Sequence, residues 1–445
     1  MLSLFDTDQT SVSYGLGDRY RWAWGLIDFG NGTFQGAAHG LSRLWESDSW
    51  PYPTSTEQFL QRIDSLFEGA KYLTGKDGSM EEAFPKEGSY CVTALVAFDL
   101  ICSIDLMSGI AEERQIGKWS AVVSPMIRYL VEADETHAII SNHLATAAAA
   151  LARWDKRVKD VKVETKARLL LERILENQSR EGWFREYGGA DPGYQTLCTY
   201  YLADLHQVRP DWNLLPSLRK SVQFIWHFAH PDGSFGGHYG SRCTRFYYPA
   251  GMVALAEEIP EAKALSGFMR GAIASNQVVN LSAMDEPNLV PMFNAYAWAA
   301  TLEANAKAPA EDELTLPAFS EEPFRKHFPE AGILVDRGTE HYTIVNLKKG
   351  GVIHHFRKGK LEKLSTGVAI RSANGRWGSS QSNVTDEDIL IETDQVEVRA
   401  QIVEMPKKLP TISQFLALRM LSLCFFRFRS VREWTKRFLV RRLIT

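Results

Sequence analysis

The sequence predicts an α+β multidomain chain, an N-terminal (α/α) toroid of helical hairpins followed by an antiparallel β-sandwich. Three observations carry that expectation. Loops of small and polar residues lead into apolar helices at intervals of about 50 residues, amphipathic helices lie between them, and beyond 324 the text changes to short alternating runs punctuated by glycine.

The recurring stretches are "EGSYCVTALVAFDLI" from Glu87, "SNHLATAAAALARW" from Ser141, "PGYQTLCTYYLADL" from Pro192, "SRCTRFYYPAGMVALAEE" from Ser241 and "MFNAYAWAATLEAN" from Met292. Alanine after alanine in the second lets a helix approach neighbours closely on several sides, so it reads as an inner, buried helix whose first turn alone is polar. The intervening amphipathic segments, around 56–73, 112–132, 160–179, 212–228 and 258–276, read as the outer helices. Hairpins that cannot bury their inner faces alone must stack, and five or six of them close into a toroid; an open superhelix of the same hairpins is the alternative. The loops "EGWFREYGGADPGY" (181–194) and "DGSFGGHYGSRCTRFYYP" (232–249) are rich in glycine and aromatics, a composition suited to stacking on sugars. Both precede inner helices and so gather at one mouth of the ring. A Pro/Glu-rich connector (306–324) then gives way to strands such as "HYTIVNLKKGG" and "VIHHFRKGK". The expected domains are 1–310 (toroid), 325–405 (sandwich) and 411–445, a basic amphipathic segment.

Composition narrows the function. The chain has 445 residues, 45% hydrophobic, enough for a large core. Its net charge of −4 hides an asymmetry: residues 411–445 hold eight Lys/Arg against the single Glu433, and removing that +7 leaves −11 on the rest. An acidic body argues against nucleic acid as a partner, while an acidic sugar polymer can still be held in a locally basic cleft. The five cysteines are scattered without a C-x-x-C pair, which suggests a reducing compartment and no zinc ribbon. The first residues lack the basic start and apolar run of a secretory signal, so the expected location is cytoplasmic, or periplasmic if a leader is missing. No uninterrupted apolar segment reaches the roughly 18 residues of a membrane span. No P-loop, dinucleotide fingerprint or metalloprotease helix is present, and no metal or cofactor is expected.

Asn142 and His143 open one inner helix, and Gly-aromatic-x-Glu precedes a tyrosine at the start of the next in "GWFREYGGADPGYQTLCTYYL". On these residues the chain resembles the heparinase II/III-like family of uronic-acid polysaccharide lyases. The inserted "GGADPG" departs from the family's usual loop and leaves Tyr194, Tyr187 and Tyr200 competing for one role. The resemblance implies an acidic polysaccharide substrate cut by β-elimination, with Asn142 neutralising the uronate carboxylate and His143 and Tyr194 serving as base and acid in an order the sequence leaves open. The chemistry requires such residues, because the proton on C5, alpha to a carboxylate, is acidic only once that charge is neutralised by donors.

Each residue also has a structural reading: Asn142 as a helix N-cap, His143 as a core histidine, Tyr194 as a packing residue. His238, Tyr239, Arg242 and Arg245 fall at the next equivalent mouth. His238 joins the catalytic candidates; Glu186, Tyr187, Tyr239, Arg242 and Arg245 are read as substrate-binding, with an ion pair from an arginine to Glu186 or Asp191 as the alternative. His354 and His355 are adjacent on a strand and point to opposite faces, so at most one reaches the mouth. Alternatives in function are a uronate C5-epimerase, a glycoside hydrolase built on Asp232 and Glu186, and a non-catalytic glycan-binding protein of polysaccharide assembly or export. The tail, with Phe415, Leu418, Phe425, Phe428 and Leu439 among its arginines, reads either as a peripheral membrane contact or, preferred here, as an apolar stripe packed on the sandwich.

Overall fold

A computed structural model of the chain describes residues 1–17, 31–82, 86–135, 139–305, 314–381, 388–393, 395–405, 411–426 and 428–443. Part of the expected connector, 306–313, lies outside the described residues.

Inner helices Ala37–Glu46 (α1), Tyr90–Met107 (α3), Ser141–Val158 (α5), Pro192–Val208 (α7), Ala250–Ala254 (α9) and Glu286–Asn305 (α11) alternate with outer helices Thr56–Leu73 (α2), Glu113–Glu132 (α4), Val161–Glu176 (α6), Leu215–Ile225 (α8) and Pro260–Ala274 (α10). Each inner helix packs on the next, and α11 returns to α1, so the ring closes. The closing contact is polar: fully buried Asn294 of α11 accepts from the Gly40 amide at 3.0 Å and donates to the Gly36 carbonyl at 2.9 Å. Glycine is needed at position 40, since a Cβ there would lie 2.5 Å from the Phe293 ring and 2.7 Å from the Asn294 side-chain oxygen.

The alternation of inner and outer helices follows from the residues. Along α5, Ala145 and Ala147 to Ala150 are all fully buried, which lets α3 and α7 approach on either side. By length and apolarity α3 would qualify as a membrane span, yet the ring encloses it, and Asp99 and Asp105 interrupt its apolar run. Outer helix α2 buries one face and begins with a reciprocal cap, in which Ser55 Oγ accepts from the Gln58 amide and the Gln58 side chain accepts from the Ser55 amide.

The strands Phe324–Phe328 (β1), Ile333–Arg337 (β2), His341–Asn346 (β3), Val352–Arg357 (β4) and Lys360–Ser365 (β5) form an antiparallel meander in chain order. On β4, Val352, His354 and Phe356 are buried while Ile353 and His355 are half-buried, as the period of two requires. The buried face lies on the ring: the Tyr342 hydroxyl donates to the His227 carbonyl at 2.7 Å and the Asn346 amide to the Tyr239 carbonyl at 2.6 Å. Two smaller antiparallel sheets follow. One joins Ala369–Arg371 (β6), Trp377–Ser379 (β7) and Val403–Met405 (β10), and the other Asp388–Ile391 (β8) and Val396–Arg399 (β9). A helical ring followed by antiparallel sheets is the architecture the sequence predicts.

The tail forms helices Ile412–Cys424 (α12) and Arg429–Leu443 (α13). Here the preferred sequence reading is corrected. The tail is anchored to the ring and not through an apolar stripe on the sandwich: Arg432 donates to Asp77 at 2.6 Å and Lys86 to the Leu423 carbonyl at 3.4 Å, while Arg429 lies 5.7 Å from the Tyr129 ring. Phe415, Phe425 and Phe428 stay about half exposed and Leu418 partly so; the side chain of Leu439 lies outside the described residues. The physical reason is that the buried Arg432 guanidinium found a carboxylate partner in the half-buried Asp77, which fixes the helix on the ring.

The Asn294 clasp makes a quantitative expectation. Asn294→Ala removes two buried hydrogen bonds and leaves a backbone donor and acceptor in an apolar seam, so unfolding should become easier by roughly 2–4 kcal/mol in denaturant titrations. An unchanged midpoint would mean that the seam closes without it.

Candidate active site

At one mouth of the ring the loops before successive inner helices bond to one another. Ile140 and Glu186 form an antiparallel bridge, the Ser141 amide donates to the Arg185 carbonyl at 3.1 Å, and the Tyr187 amide donates to the Ile139 carbonyl at 3.1 Å. This short pairing sets Asn142 beside Glu186, and its Nδ2 donates to Glu186 Oε2 at 2.8 Å. Asn142 is therefore no N-cap. The cap position is Ile140, without a side-chain acceptor, and Ser141 Oγ donates to the Arg185 carbonyl.

The second joint is Asp191, which caps α7. Its Oδ1 accepts from the Tyr194 amide at 3.0 Å and its Oδ2 from the Arg242 amide at 2.8 Å and the Thr244 amide at 3.4 Å, so one buried carboxylate fixes both loops. The "GGADPG" insertion thereby becomes a turn. Tyr187 takes a left-handed backbone (φ 55), uncommon for a residue with a Cβ, and its ring lies 4.5 Å beneath the Arg242 guanidinium.

These loops enclose a cavity of about 390 Å³ lined by Asn142, His143, Tyr187, Tyr194 and Arg242, together with Tyr90, Cys91 and Asn288. Tyr194, Arg242 and Asn288 also line an adjoining hollow of about 380 Å³ that contains Arg245. Thus the sequence-predicted residues Asn142, His143, Tyr187, Tyr194 and Arg242 share one cavity, with Arg245 next door. Others do not join them. Tyr200 is fully buried in the core. Tyr239, expected to bind substrate, is fully buried and bonds through its hydroxyl to His230 at 2.8 Å. His238, expected to be catalytic, does not line the cavity; it faces His354 across the ring–sheet joint with ring centroids 5.7 Å apart. Glu186 stands behind Asn142, almost wholly buried, so it positions the amide and does not meet a ligand. No Asp232–Glu186 pair forms either, because Asp232 accepts from the amide and hydroxyl of Ser234 in its own turn. Of the strand histidines, His354 turns towards the ring and His355 away, bonding Thr343 at 2.7 Å.

Electrostatics assigns protonation states. Burial opposes a charge on His143, yet its pKa stands well above the usual value, because acidic neighbours favour the imidazolium. Those neighbours are Cys91, the larger influence, and the Glu135 carboxylate, 3.1 Å from His143 Nδ1; burial raises the Cys91 thiol's own pKa. Burial pushes the Glu186 carboxyl up to about 7, against the pull of His143 and of the Asn142 hydrogen bond. Burial also pushes the Tyr194 phenol up to about 12, with Asn288 and Arg242 acting in the other direction. Sequence reasoning passed over Glu135, Cys91 and Tyr90. For Tyr90 a signal existed: it opens α3 as Tyr194 nearly opens α7. Glu135 had none, since only the fold brings it to His143.

Raising the Glu186 pKa from 4.5 to about 7 means that the unfolded chain loses this proton first as pH rises, so the buried carboxyl lowers stability increasingly between those values. Glu186→Gln keeps an acceptor for Asn142 and removes that cost. It should match the parent below the unfolded pKa and exceed its stability by on the order of 3 kcal/mol near roughly pH 8. A variant no more stable at the higher pH would show that Glu186 keeps an ordinary carboxylate pKa.

No protein-family model matches the chain, and no curated protein does. Among solved structures, cellobiose 2-epimerase from Bacillus thermoamylovorans B4167 is similar at 11% identity with a TM-score of 0.51, over 68% of this chain and 94% of that one. A sugar epimerase from a ruminal bacterium is similar at 11% identity with a TM-score of 0.48, over 69% of this chain and 95% of that one. A Paenibacillus xanthan lyase is similar at 10% identity with a TM-score of 0.44, over 82% of this chain and 40% of that one. At such identities the likeness is one of fold, and the first of the three carries it: the chain shares the helical toroid of a sugar epimerase.

Proposed function

We propose that the protein is a lyase of uronic-acid-containing glycans, in line with the heparinase II/III-like resemblance of its Asn-His and Gly-Trp-Phe-Arg-Glu motifs. The observation that carries this reading is the convergence of an amide, a proton-holding imidazole and a guanidinium, from Asn142, His143 and Arg242, on a cavity that also presents the Tyr194 phenol. Three donors suit a carboxylate whose charge must be neutralised before the adjacent carbon gives up a proton.

The protonation states divide the labour. An imidazolium held by Glu135 cannot accept a proton, so His143 joins Asn142 in neutralising the uronate, and Tyr194 is left as the base. In its phenolate form Tyr194 takes the C5 proton, the electron pair forms the C4=C5 double bond, and the C4–O4 bond breaks. The proton on Tyr194 then passes to the departing O4, which closes the balance without a cofactor.

Two outcomes test this. Asn142→Ala should fold and lose on the order of 10²–10³ in rate, the cost of one transition-state donor. Tyr194→Phe should lose about 10²–10⁴ where Tyr187→Phe and Tyr200→Phe lose much less. With a phenol pushed up to about 12, the parent's kcat/KM should climb with pH on the alkaline side, as more Tyr194 is ionised, until His143 deprotonates. The assay is ultraviolet absorbance of the unsaturated product. Exchange of solvent deuterium into C5 without that absorbance would make the protein an epimerase, and binding with neither signal would make it a glycan-binding protein.

A further inference from the structure

The tail carries two features that the cavity does not use. The first is an exposed apolar face. On α12, Ile412, Phe415, Leu416, Met420 and Leu423 are 44–81% exposed and share an arc of about 140° around the helix. On the other side Leu418 and Leu421 are half-buried and Ser422 is buried. On α13, Trp434 and Phe438, one turn apart, are also exposed, and their rings stack at 5.8 Å. Outside the tail, Phe319 is the one exposed phenylalanine or tryptophan among the described residues. Single exposed apolar side chains are ordinary, but a concentration of them marks a surface that something covers. The second feature is charge. Residues 411–445, with eight Lys/Arg and one Glu, sum to +7 against −11 on the rest, and Arg437, next to Phe438 in the chain, is exposed. A purely apolar partner would satisfy the first feature and strand the second. A surface that is anionic at its face and apolar beneath satisfies both. At 13 residues α12 is too short to cross a bilayer, which takes about 20, so it is suited to lie along one.

We propose that the tail docks the protein on an anionic lipid bilayer, with the α12 face and the Trp434–Phe438 pair set at the boundary of headgroups and acyl chains and the basic residues drawn to the lipid phosphates. The place of the tail on the ring gives the docking a consequence. Arg432 donates to Asp77 at 2.6 Å, and the next residue, Glu433, lines the cavity. A docked tail therefore holds the mouth of the cavity close to the membrane, where it meets glycans carried at the lipid surface. This inference stands apart from the lyase reading, since docking needs no substrate and no turnover.

Sedimentation of the full chain with lipid vesicles, in the absence of any glycan, tests the proposal. The chain should bind vesicles of phosphatidylcholine with about a third phosphatidylglycerol about tenfold or more tightly than vesicles of phosphatidylcholine alone, and the difference should fade by roughly 0.5 M salt, where screening shortens the reach of each charge. Phe415→Asp combined with Met420→Asp sets two carboxylates on the exposed face and should weaken binding to the anionic vesicles by about tenfold or more. Both side chains are more than half exposed, so the thermal midpoint should stay where the parent's lies. Leu416→Ser combined with Met420→Ser removes apolar surface without adding charge; it should weaken the same binding several-fold and serves as the test if the acidic pair misfolds. Equal binding to both kinds of vesicle, binding indifferent to salt, binding that survives both pairs of substitutions, or no binding overturns the proposal. So does a chain that ignores vesicles but self-associates until the same substitutions disperse it, a result that would assign the face to a second copy.

Discussion

Asn294 marks the point where the last inner helix returns to the first, and on that return depends whether the loops at the ends of the inner helices face one another or fan out along an open superhelix. A purely apolar seam would tolerate sliding of one helix along another. Two hydrogen bonds from a fully buried amide to the backbone at Gly36 and Gly40 do not, because any shift strands polar groups where water cannot reach them. The seam therefore sets register as well as closure.

Register propagates to the mouth. Once the inner helices are fixed, the loops before α5 and α7 run close enough to bridge at Ile140 and Glu186, and Asp191 ties the loop before α7 to the segment holding Arg242 and Thr244. Two buried carboxylates thus act as fasteners in different ways. Burial raises the pKa of both, but Asp191 accepts three backbone amides that oppose the rise, while Glu186 has a single amide donor. Asn142 is held by the less well satisfied of the two.

Much of the helical ring was legible in the sequence because its signal is periodic: the Ala145 to Ala150 run, the outer segments and the repeated glycine-aromatic loops each reflect local packing demands. The first inner helix, Ala37–Glu46, and the brevity of the fifth, Ala250–Ala254, carried no comparable signal, being short and set by neighbours. That Asn142, His143, Tyr194 and Arg242 would meet at one cavity was legible because they stand at equivalent junctions. The mistaken placements of Tyr239 and His238 used the same junction logic. They failed because the sheet, which no repeat within the ring announces, packs on that loop through Asn346 and His354. Glu135 and Glu433 reach the cavity only through tertiary structure, so no spacing could have pointed to them.

The far ends of the inner helices are tied together by charge. There Arg153, late in α5, donates to Asp204 of α7 at 2.8 Å and to Asp105 of α3 at 3.1 Å, and Arg157 reaches Asp105 at 2.7 Å. Deeper in, His39 of α1 bonds Asp99 of α3 at 3.0 Å; burial drives the imidazole pKa far down and the carboxyl pKa far up, so both are neutral and the contact is an ordinary hydrogen bond in the core. Every one of these groups is spent on another helix of the ring. At the opposite mouth, Cys91 and Glu135 favour the charged form of His143, and the Tyr90 hydroxyl has no hydrogen-bond partner among the described residues. Polar groups satisfied by one another rigidify the scaffold at both ends of these helices, Arg153 with Asp204 at this end and Asp191 with its backbone amides at the mouth.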